Sequence, residues 1–259
     1  MYFGFDAVTV GYNRRAEPVV RDLTLALRAG EITALVGPNG CGKSTLLSLV
    51  PRLHKPWAGR VICCGAPLAA LSPKEAARKI AYLPQHHEAP GDLSVRTLVS
   101  YGRYPHPSNA ALDRAIVEDA LTRTGLTALA DRPLFTLSGG ERQRAWIAMA
   151  VAQQPEILLL DEPTTYLDVG HQIEVLELIS ALRAEMGLTV LMVLHDLNLA
   201  ARYADRLCVM QAGALVADGP PAAVLTADML RQVFGVEADV HDDAGGCPYL
   251  IPRRKEGGQ

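Results

Sequence analysis

The sequence predicts an α/β fold built on a parallel sheet, and three observations carry that prediction. Short apolar, often β-branched runs recur at Ile32 to Val36, Ile80 to Leu83, Ile157 to Leu160, Thr189 to Leu194 and Leu207 to Met210. Each is bounded by turn or charged residues, as buried parallel strands are. Helical periodicity fills most of the gaps between them, the alternation of a layered α/β domain. In such sheets ligands gather outside the carboxyl ends of the strands, so the residues just after each run are the ones to read for chemistry.

Ahead of the first run, Phe3 to Val10 and Leu23 to Leu27 read as short strands separated by turns, an antiparallel flap beside the main sheet. Ile32 to Val36 then leads through a Gly-rich loop into a helix predicted over Lys43 to Val50. Residues 86–154 show no strand pattern, but helical stretches occur at Ser94 to Tyr101, Ala111 to Thr124 and Ser138 to Ala152. The organisation predicted is one domain, with a core of residues 1–85 and 155–259 and a helical insertion at 86–154. Arg253 to Gln259 is polar enough to be a loose tail.

A length of 259 residues suits one enlarged domain with a sizeable core. With 49% hydrophobic and 20% charged residues and a formal net charge of −3, the chain is of the soluble globular class. It lacks the basic surplus that non-specific nucleic-acid binding requires, so no nucleic-acid partner is expected. No apolar run reaches the roughly 18 residues of a membrane span, and MYFGFDAVTV lacks the pattern of a signal peptide. The chain is expected to stay in the cytosol. Its five cysteines, Cys41, Cys63, Cys64, Cys208 and Cys247, show neither zinc spacing nor a disulfide framework and are read as reduced and mostly structural.

Directly after Val36 comes Gly37-Pro38-Asn39-Gly40-Cys41-Gly42-Lys43-Ser44-Thr45, which fills the pattern G-x-x-x-x-G-K-[ST] between a strand and a helix. Its glycines let backbone N–H groups turn inward around an anion, and the following helix aims its positive end at the same phosphates. Lys43 is placed to reach the β- and γ-phosphates, and the Ser44 hydroxyl to hold Mg2+. After Ile157 to Leu160 the chain delivers Asp161 and Glu162. A carboxylate there can hold magnesium, directly or through a water, and its neighbour can orient an attacking water; Asp161 is assigned the first role and Glu162 the second. Read alone, the acidic pair could equally end a strand and cap the next turn of chain.

Between these motifs, Leu137-Ser138-Gly139-Gly140-Glu141-Arg142-Gln143-Arg144 heads a helix with Ala145, Ala148, Met149 and Ala152 at helical spacing. A hydroxyl and two glycines at a helix start make a second anion site, or simply an N-cap.

With LSGGERQR in this position the sequence resembles the nucleotide-binding subunits of ABC transporters. Other pieces stand in that family's order. Tyr12 is placed like the aromatic that stacks on adenine, Gln85 in Leu83-Pro84-Gln85 like the Q-loop glutamine, Asp168 like the D-loop aspartate, and His195 like the switch histidine. The likeness runs from about Phe3 to Pro252. GPNGCGKSTLL, Gly102-Arg103-Tyr104-Pro105-His106, TLSGGERQRAWIAMA, DEPTTYLDVGHQIEVLELI and VLHDLNLAARYADRL are most similar to ATPase subunits of bacterial importers for iron chelates, above all ferric siderophores; haem and cobalamin importers belong to the same broader group. Cys41 stands where a serine is common, and Tyr166 replaces a smaller residue ahead of Leu167-Asp168.

The resemblance implies a P-loop NTPase core of RecA-like type, ATP and Mg2+ as ligands, and Gln85 beside Ser44 and Asp161 at the metal. It implies a head-to-tail pair of chains in which Ser138, Gly139, Gly140 and Asp168 of one copy close over ATP on the other. Lys43, Gln85, Glu162 and His195 then serve hydrolysis. Two polytopic permease subunits, and indirectly an extracytoplasmic binding protein, are the further partners implied, at the cytoplasmic face of a bacterial inner membrane. Chromosome-maintenance relatives are disfavoured, because no sustained heptads occur between Lys43 and Ser138. An exporter is disfavoured because its spans are often fused to the cassette, and a metabolic P-loop kinase or GTPase because neither needs LSGG. His86, His87 and His171 lack partners at ligand spacing; His171 is expected to cap or pack near the helix after Asp168.

Overall fold

The computed structural model describes residues 1–86, 90 and 92–253. In chain order its strands are β1 (Phe3–Val10), β2 (Val20–Leu27), β3 (Ile32–Val36), β4 (Ala58–Cys63), β5 (Ala66–Pro67), β6 (Ile80–Leu83), β7 (Ile157–Asp161), β8 (Thr189–Val193), β9 (Arg206–Gln211), β10 (Ala214–Gly219), β11 (Ala238–Asp242) and β12 (Pro248–Pro252). The helices that matter for the site are α1 (Lys43–Leu47), α2 (Pro73–Lys79), α3 (Val95–Ser100), α4 (Ala110–Arg123), α5 (Gly139–Ala152), α6 (Val169–Met186) and α7 (Leu197–Tyr203). All five apolar runs are strands, and every residue of β3, β7 and β8 is buried. The mixed α/β class with parallel strand pairs is the predicted one.

The chain divides into two compact units, Met1–Pro67 together with Leu191 onward, and Leu68–Val190. In the first, β2, β1, β4 and β5 form an antiparallel sheet in that order, while β3 pairs in parallel with β9 and β9 antiparallel with β10. The flap is therefore larger than the sequence suggested. β2 begins at Val20 because Arg21 and Asp22 enter a bulged stretch, with Asp22 at a φ of 43°. Phe3 and Phe5 are fully buried and meet edge to face at 6.1 Å. The helix expected to reach Val50 stops at Leu47; Leu49 and Val50 instead donate to Leu46 and Leu47 in tightened turns.

In the second unit β6 and β7 run parallel with Ile80 opposite Ile157 and Leu83 opposite Leu160. The division falls inside β8, whose first residue Thr189 donates to Glu156 O at 3.0 Å. Side chains start the helices here: Asn109 caps α4, and Ser72 and Ser138 form reciprocal capping boxes with Glu75 and Glu141 at α2 and α5. The GRYPH segment after α3 is an anchor on the end of α5. Arg103, 8% exposed, donates to Ala152 O and Gln154 Oε1 at 2.9 and 3.1 Å and pairs with Asp113 at 2.9 Å. His106 Nε2 lies 2.8 Å from Gln153 O.

Replacing Arg103 by methionine keeps the volume but strands the Ala152 carbonyl and the carboxylate. Urea unfolding of Arg103→Met is expected to show a loss of about 2 kcal/mol, below the usual cost of breaking a buried pair because Asp113 is partly solvated. The guanidinium first, then the Asn109 N–H, holds the Asp113 carboxyl below its ordinary value of 3.8. A carboxyl depressed on folding stabilises above its unfolded pKa, and that contribution is lost as pH falls through the folded value. Wild type should therefore lose stability on acidification below pH 3.8, and Arg103→Met should lose less.

Candidate nucleotide site

In the first unit β3 ends in the Gly37 loop. Gly37 has a φ of 151°, and a Cβ there would lie 2.2 Å from Met210 O in β9. Only glycine lets the loop leave the strand this close to its neighbour. The Cys41 carbonyl accepts from Gly213 N at 3.0 Å, and Gly213 O accepts from Arg21 N at 3.0 Å, so the β9–β10 turn ties the loop to β2. Nothing in the residue pattern signalled this role for Gly213. Lys43 is buried, its Nζ donating to Gly37 O at 2.8 Å and Pro38 O at 3.1 Å. The ammonium thus sits against the loop that would carry the phosphates. Gly40, Asn39 and Ser44 are exposed, while Cys41, Gly42 and Thr45 are buried.

Tyr12 leaves its ring 72% exposed while its hydroxyl meets Thr45 Oγ1 at 2.9 Å. The chain of contacts runs on through Ser48 Oγ, which donates to Thr45 O at 2.7 Å and lies 2.9 Å from His54 Nδ1. The His54 ring stands edge-on to Tyr12 at 5.3 Å. An aromatic face is therefore presented from a polar network rooted in the phosphate-loop helix. His54 belongs to this network and was not signalled by the sequence. His195 follows Leu194, whose N–H donates to Leu35 O at 3.3 Å, so it leaves β8 beside the end of β3.

In the second unit Asp161 is buried and Glu162 half-buried at the end of β7. Glu162 has a φ of 55°, a left-handed conformation that costs a residue with a Cβ about 1–2 kcal/mol. Strain of this kind persists where the surroundings over-determine it. Here Gln85 Nε2 and Thr165 Oγ1 both donate to Glu162 Oε2, at 2.5 and 3.0 Å. The parallel register of Leu83 with Leu160 is what brings Gln85 to Glu162. Because its Nε2 is spent on Glu162, Gln85 keeps its carbonyl oxygen as an acceptor. Burial, and after it the Asp161 carboxylate, push the Tyr82 phenol well above its ordinary pKa.

Ser138 caps α5, accepting from Glu141 N at 3.2 Å while Glu141 Oε2 accepts from Ser138 N at 2.8 Å. Asp168 caps α6 and accepts twice from His171, from its N–H at 2.9 Å and from Nδ1 at 2.8 Å. These bonds, the backbone one first, hold the Asp168 carboxyl below its usual range. His171 also fills the space beside the other motif: a Cβ on Gly140 would lie 2.3 Å from its Cδ2, and Gly139 faces Leu167. Asp168 and the Ser138–Gly140 turn thus share a side chain. The expectation that His171 packs near the α6 start agrees with its contacts, but its place against Gly140 was not legible. Tyr166, at a φ of 66° and 86% exposed, stacks on His86 with ring centroids 6.4 Å apart. His87 lies outside the described residues. No group of three or more His, Cys, Asp or Glu suited to a metal occurs among the described residues, and no described helix is long and apolar enough to cross a membrane.

A family model described as ABC transporter matches residues 20–165, from the start of β2 through the phosphate loop to just past the Asp161-Glu162 pair. The chain belongs to the ABC transporter family. It is an ATPase of that family, and its ATP-binding relatives match over almost the whole chain. The iron(3+)-hydroxamate import ATP-binding protein FhuC of Bacillus subtilis (strain 168) is 47% identical over 238 residues, 90% of this chain and 88% of that protein. The ferric enterobactin transport ATP-binding protein FepC of Escherichia coli (strain K12) is 45% identical over 252 residues, 95% and 92% of the two chains. A solved structure named for an inward-facing metal-chelate type ABC transporter superposes with a TM-score of 0.83 at 28% identity, covering 98% of both chains.

The contact between the two motifs of this ABC ATPase is open to a direct test. Gly140→Ala should cost about 1–3 kcal/mol, the usual range for overpacking, by colliding with His171. Adding His171→Ala should recover most of that loss, so chemical denaturation of both single variants and the double variant should give strong coupling. Strict additivity would mean that the contact is not made.

Proposed function

We propose that this ABC ATPase binds Mg2+ and ATP and couples hydrolysis to import of an iron chelate, a ferric siderophore first of all, through a membrane permease. The observation that carries the hydrolytic part is the strained Glu162, held by Gln85 and Thr165 at the end of β7. The cargo class is supported by relatives named for iron(3+)-hydroxamate import and ferric enterobactin transport.

In this reading Tyr12 stacks on the adenine, and Gly37, Asn39, Gly40, Cys41, Gly42, Lys43 and Thr45 surround the phosphates. The Ser44 hydroxyl, the Asp161 carboxylate and the amide oxygen of Gln85 are hard oxygen donors of the kind magnesium takes. Bound there, the ion would neutralise charge on the β- and γ-phosphates. Glu162 accepts a proton from the attacking water and orients it, His195 holds the reacting geometry, and Lys43 balances the developing charge.

One phosphate loop and one LSGG turn occur per chain, and the Ser138 hydroxyl is engaged with Glu141 in its own helix cap. The anion for the exposed Gly139 N-terminal turn then comes from ATP on a second copy, in a head-to-tail pair that also engages Asp168. Hydrolysis removes the bridging γ-phosphate and lets the pair open. Residues 86–154 act as the helical insertion that meets two permease subunits at the cytoplasmic membrane face, with a binding protein delivering cargo from the far side.

Glu162→Gln keeps the shape and the hydrogen-bonding length but loses the base. It should retain ATP and sediment as a stable pair with Mg2+ present, with turnover reduced at least about a hundredfold. Turnover at the wild-type rate would remove Glu162 from the role. For cargo, ATP-dependent uptake of a radio-iron hydroxamate by the reconstituted transporter is expected to exceed that of haemin or cobalamin; the reverse order would reassign it.

A further inference from the structure

His195 is followed by Asp196 and then by α7, which has only seven residues and buries only Ala200 and Ala201. Leu197, Leu199 and Tyr203 are only half-buried, so the apolar area that fixes this short helix is modest. Polar ties to the β11–β12 hairpin add to that packing. Asn198 uses both ends of its amide on one residue of β12: Nδ2 donates to Leu250 O at 3.2 Å, and Oδ1 accepts from Leu250 N at 2.8 Å. This is the pair of bonds a neighbouring strand would make, so the amide closes the outer edge of the hairpin.

One turn further on, Arg202 donates to Asp243, and Cys247 Sγ lies 3.5 Å from Ala201 O. Asp243 in turn accepts from the Gly245 and Cys247 N–H groups at 2.8 and 2.9 Å, which fixes the hairpin turn that carries it. On the other side, Asp196 accepts from Asn198 N and Leu199 N at 2.8 and 2.9 Å. Asn198 is therefore bonded through its backbone to the residue after His195 and through its side chain to the C-terminal hairpin.

We propose that the C-terminal hairpin is a positioning element for ATP hydrolysis, in which the double hydrogen bond of Asn198 to Leu250, backed by Arg202 and Asp243, holds α7 and through Asp196 sets the place of the His195 imidazole. The inference rests on the role given above to His195. Asn198 and Arg202 touch no reacting atom; they act through the histidine. Displacing a reacting group by about 1 Å can cost on the order of a hundredfold in rate, so a partial loosening should be visible in kcat.

The test uses the full-length chain with Mg2+ and ATP, measuring kcat, KM and the melting midpoint. Asn198→Leu should lower kcat about tenfold with KM for ATP changed less than about twofold. Arg202→Ala, at an exposed position where folding is not at risk, should lower it about threefold, and Asn198→Asp, which keeps the acceptor for Leu250 N, should fall between wild type and Asn198→Leu. In a His195→Ala background the same changes should leave the residual rate within about twofold.

Equal fractional losses in both backgrounds, or a fall in melting midpoint with unchanged kcat, would make the hairpin a purely structural support and overturn the proposal. An inactive His195→Ala beside a fully active Asn198→Leu would overturn the positioning role alone. A fully active His195→Ala would overturn the role of the histidine itself, and the inference with it.

Discussion

The backbone between Gly37 and Gly42 limits what everything else in this chain can do. Phosphate oxygens are best held by N–H groups that cost nothing to orient, and that requires a peptide stretch bent through conformations most side chains forbid. The bend is set from outside: Met210 O stands where a side chain at Gly37 would be, and the β9–β10 turn holds the Cys41 carbonyl through Gly213. β3, buried along its whole length, supplies the rigid base. Lys43 is enclosed in the same loop, with its charge kept against the Gly37 and Pro38 carbonyls. The bend of this loop thus depends on strands outside it.

The other unit is organised around a different cost. Glu162 adopts a left-handed backbone, and the bonds from Gln85 and Thr165 fix its carboxylate. In the role proposed for Glu162, a carboxylate has to be held before the water arrives, because ordering it during the reaction would add to the barrier. The LSGG turn and the D-loop are joined by a similar economy of parts: His171 bonds Asp168 and lies against Gly140. Two segments far apart in sequence therefore share one imidazole.

Much of this was legible in the sequence, and the exceptions have physical causes. β3, β7 and β8 are buried on both faces and so read as unbroken apolar runs. Ser138 announced the start of α5 because a cap is a local event. β10 alternates exposed and half-buried residues, and β11 and β12 are five residues each, buried at their first residue and exposed at their last two, so no long buried run marks them. The phosphate loop was visible as a spacing of glycines, a lysine and a serine. Its supports were not: Gly213 and His54, like Asn198 at the C-terminal hairpin, act through one or two hydrogen bonds to backbone or side chains distant in sequence, which leave no periodicity behind. The GRYPH segment served in the sequence as a likeness to relatives, and the fold gives it a structural task at the end of α5.

If the triphosphate is held by the backbone geometry of this loop, a change confined to that geometry should remove binding. Gly30 has a φ of 74° and a Cβ there would meet nothing within 4 Å, so it offers a strained glycine away from the loop as a control for Gly37. Calorimetric titration of ATP with Mg2+ into Gly37→Ala and Gly30→Ala, both checked for folding, separates the two effects. Wild-type affinity is expected for Gly30→Ala, and for Gly37→Ala a loss of at least about a hundredfold, equivalent to some 3 kcal/mol of binding free energy. A folded Gly37→Ala that binds ATP as tightly as wild type would contradict the dependence of binding on this loop.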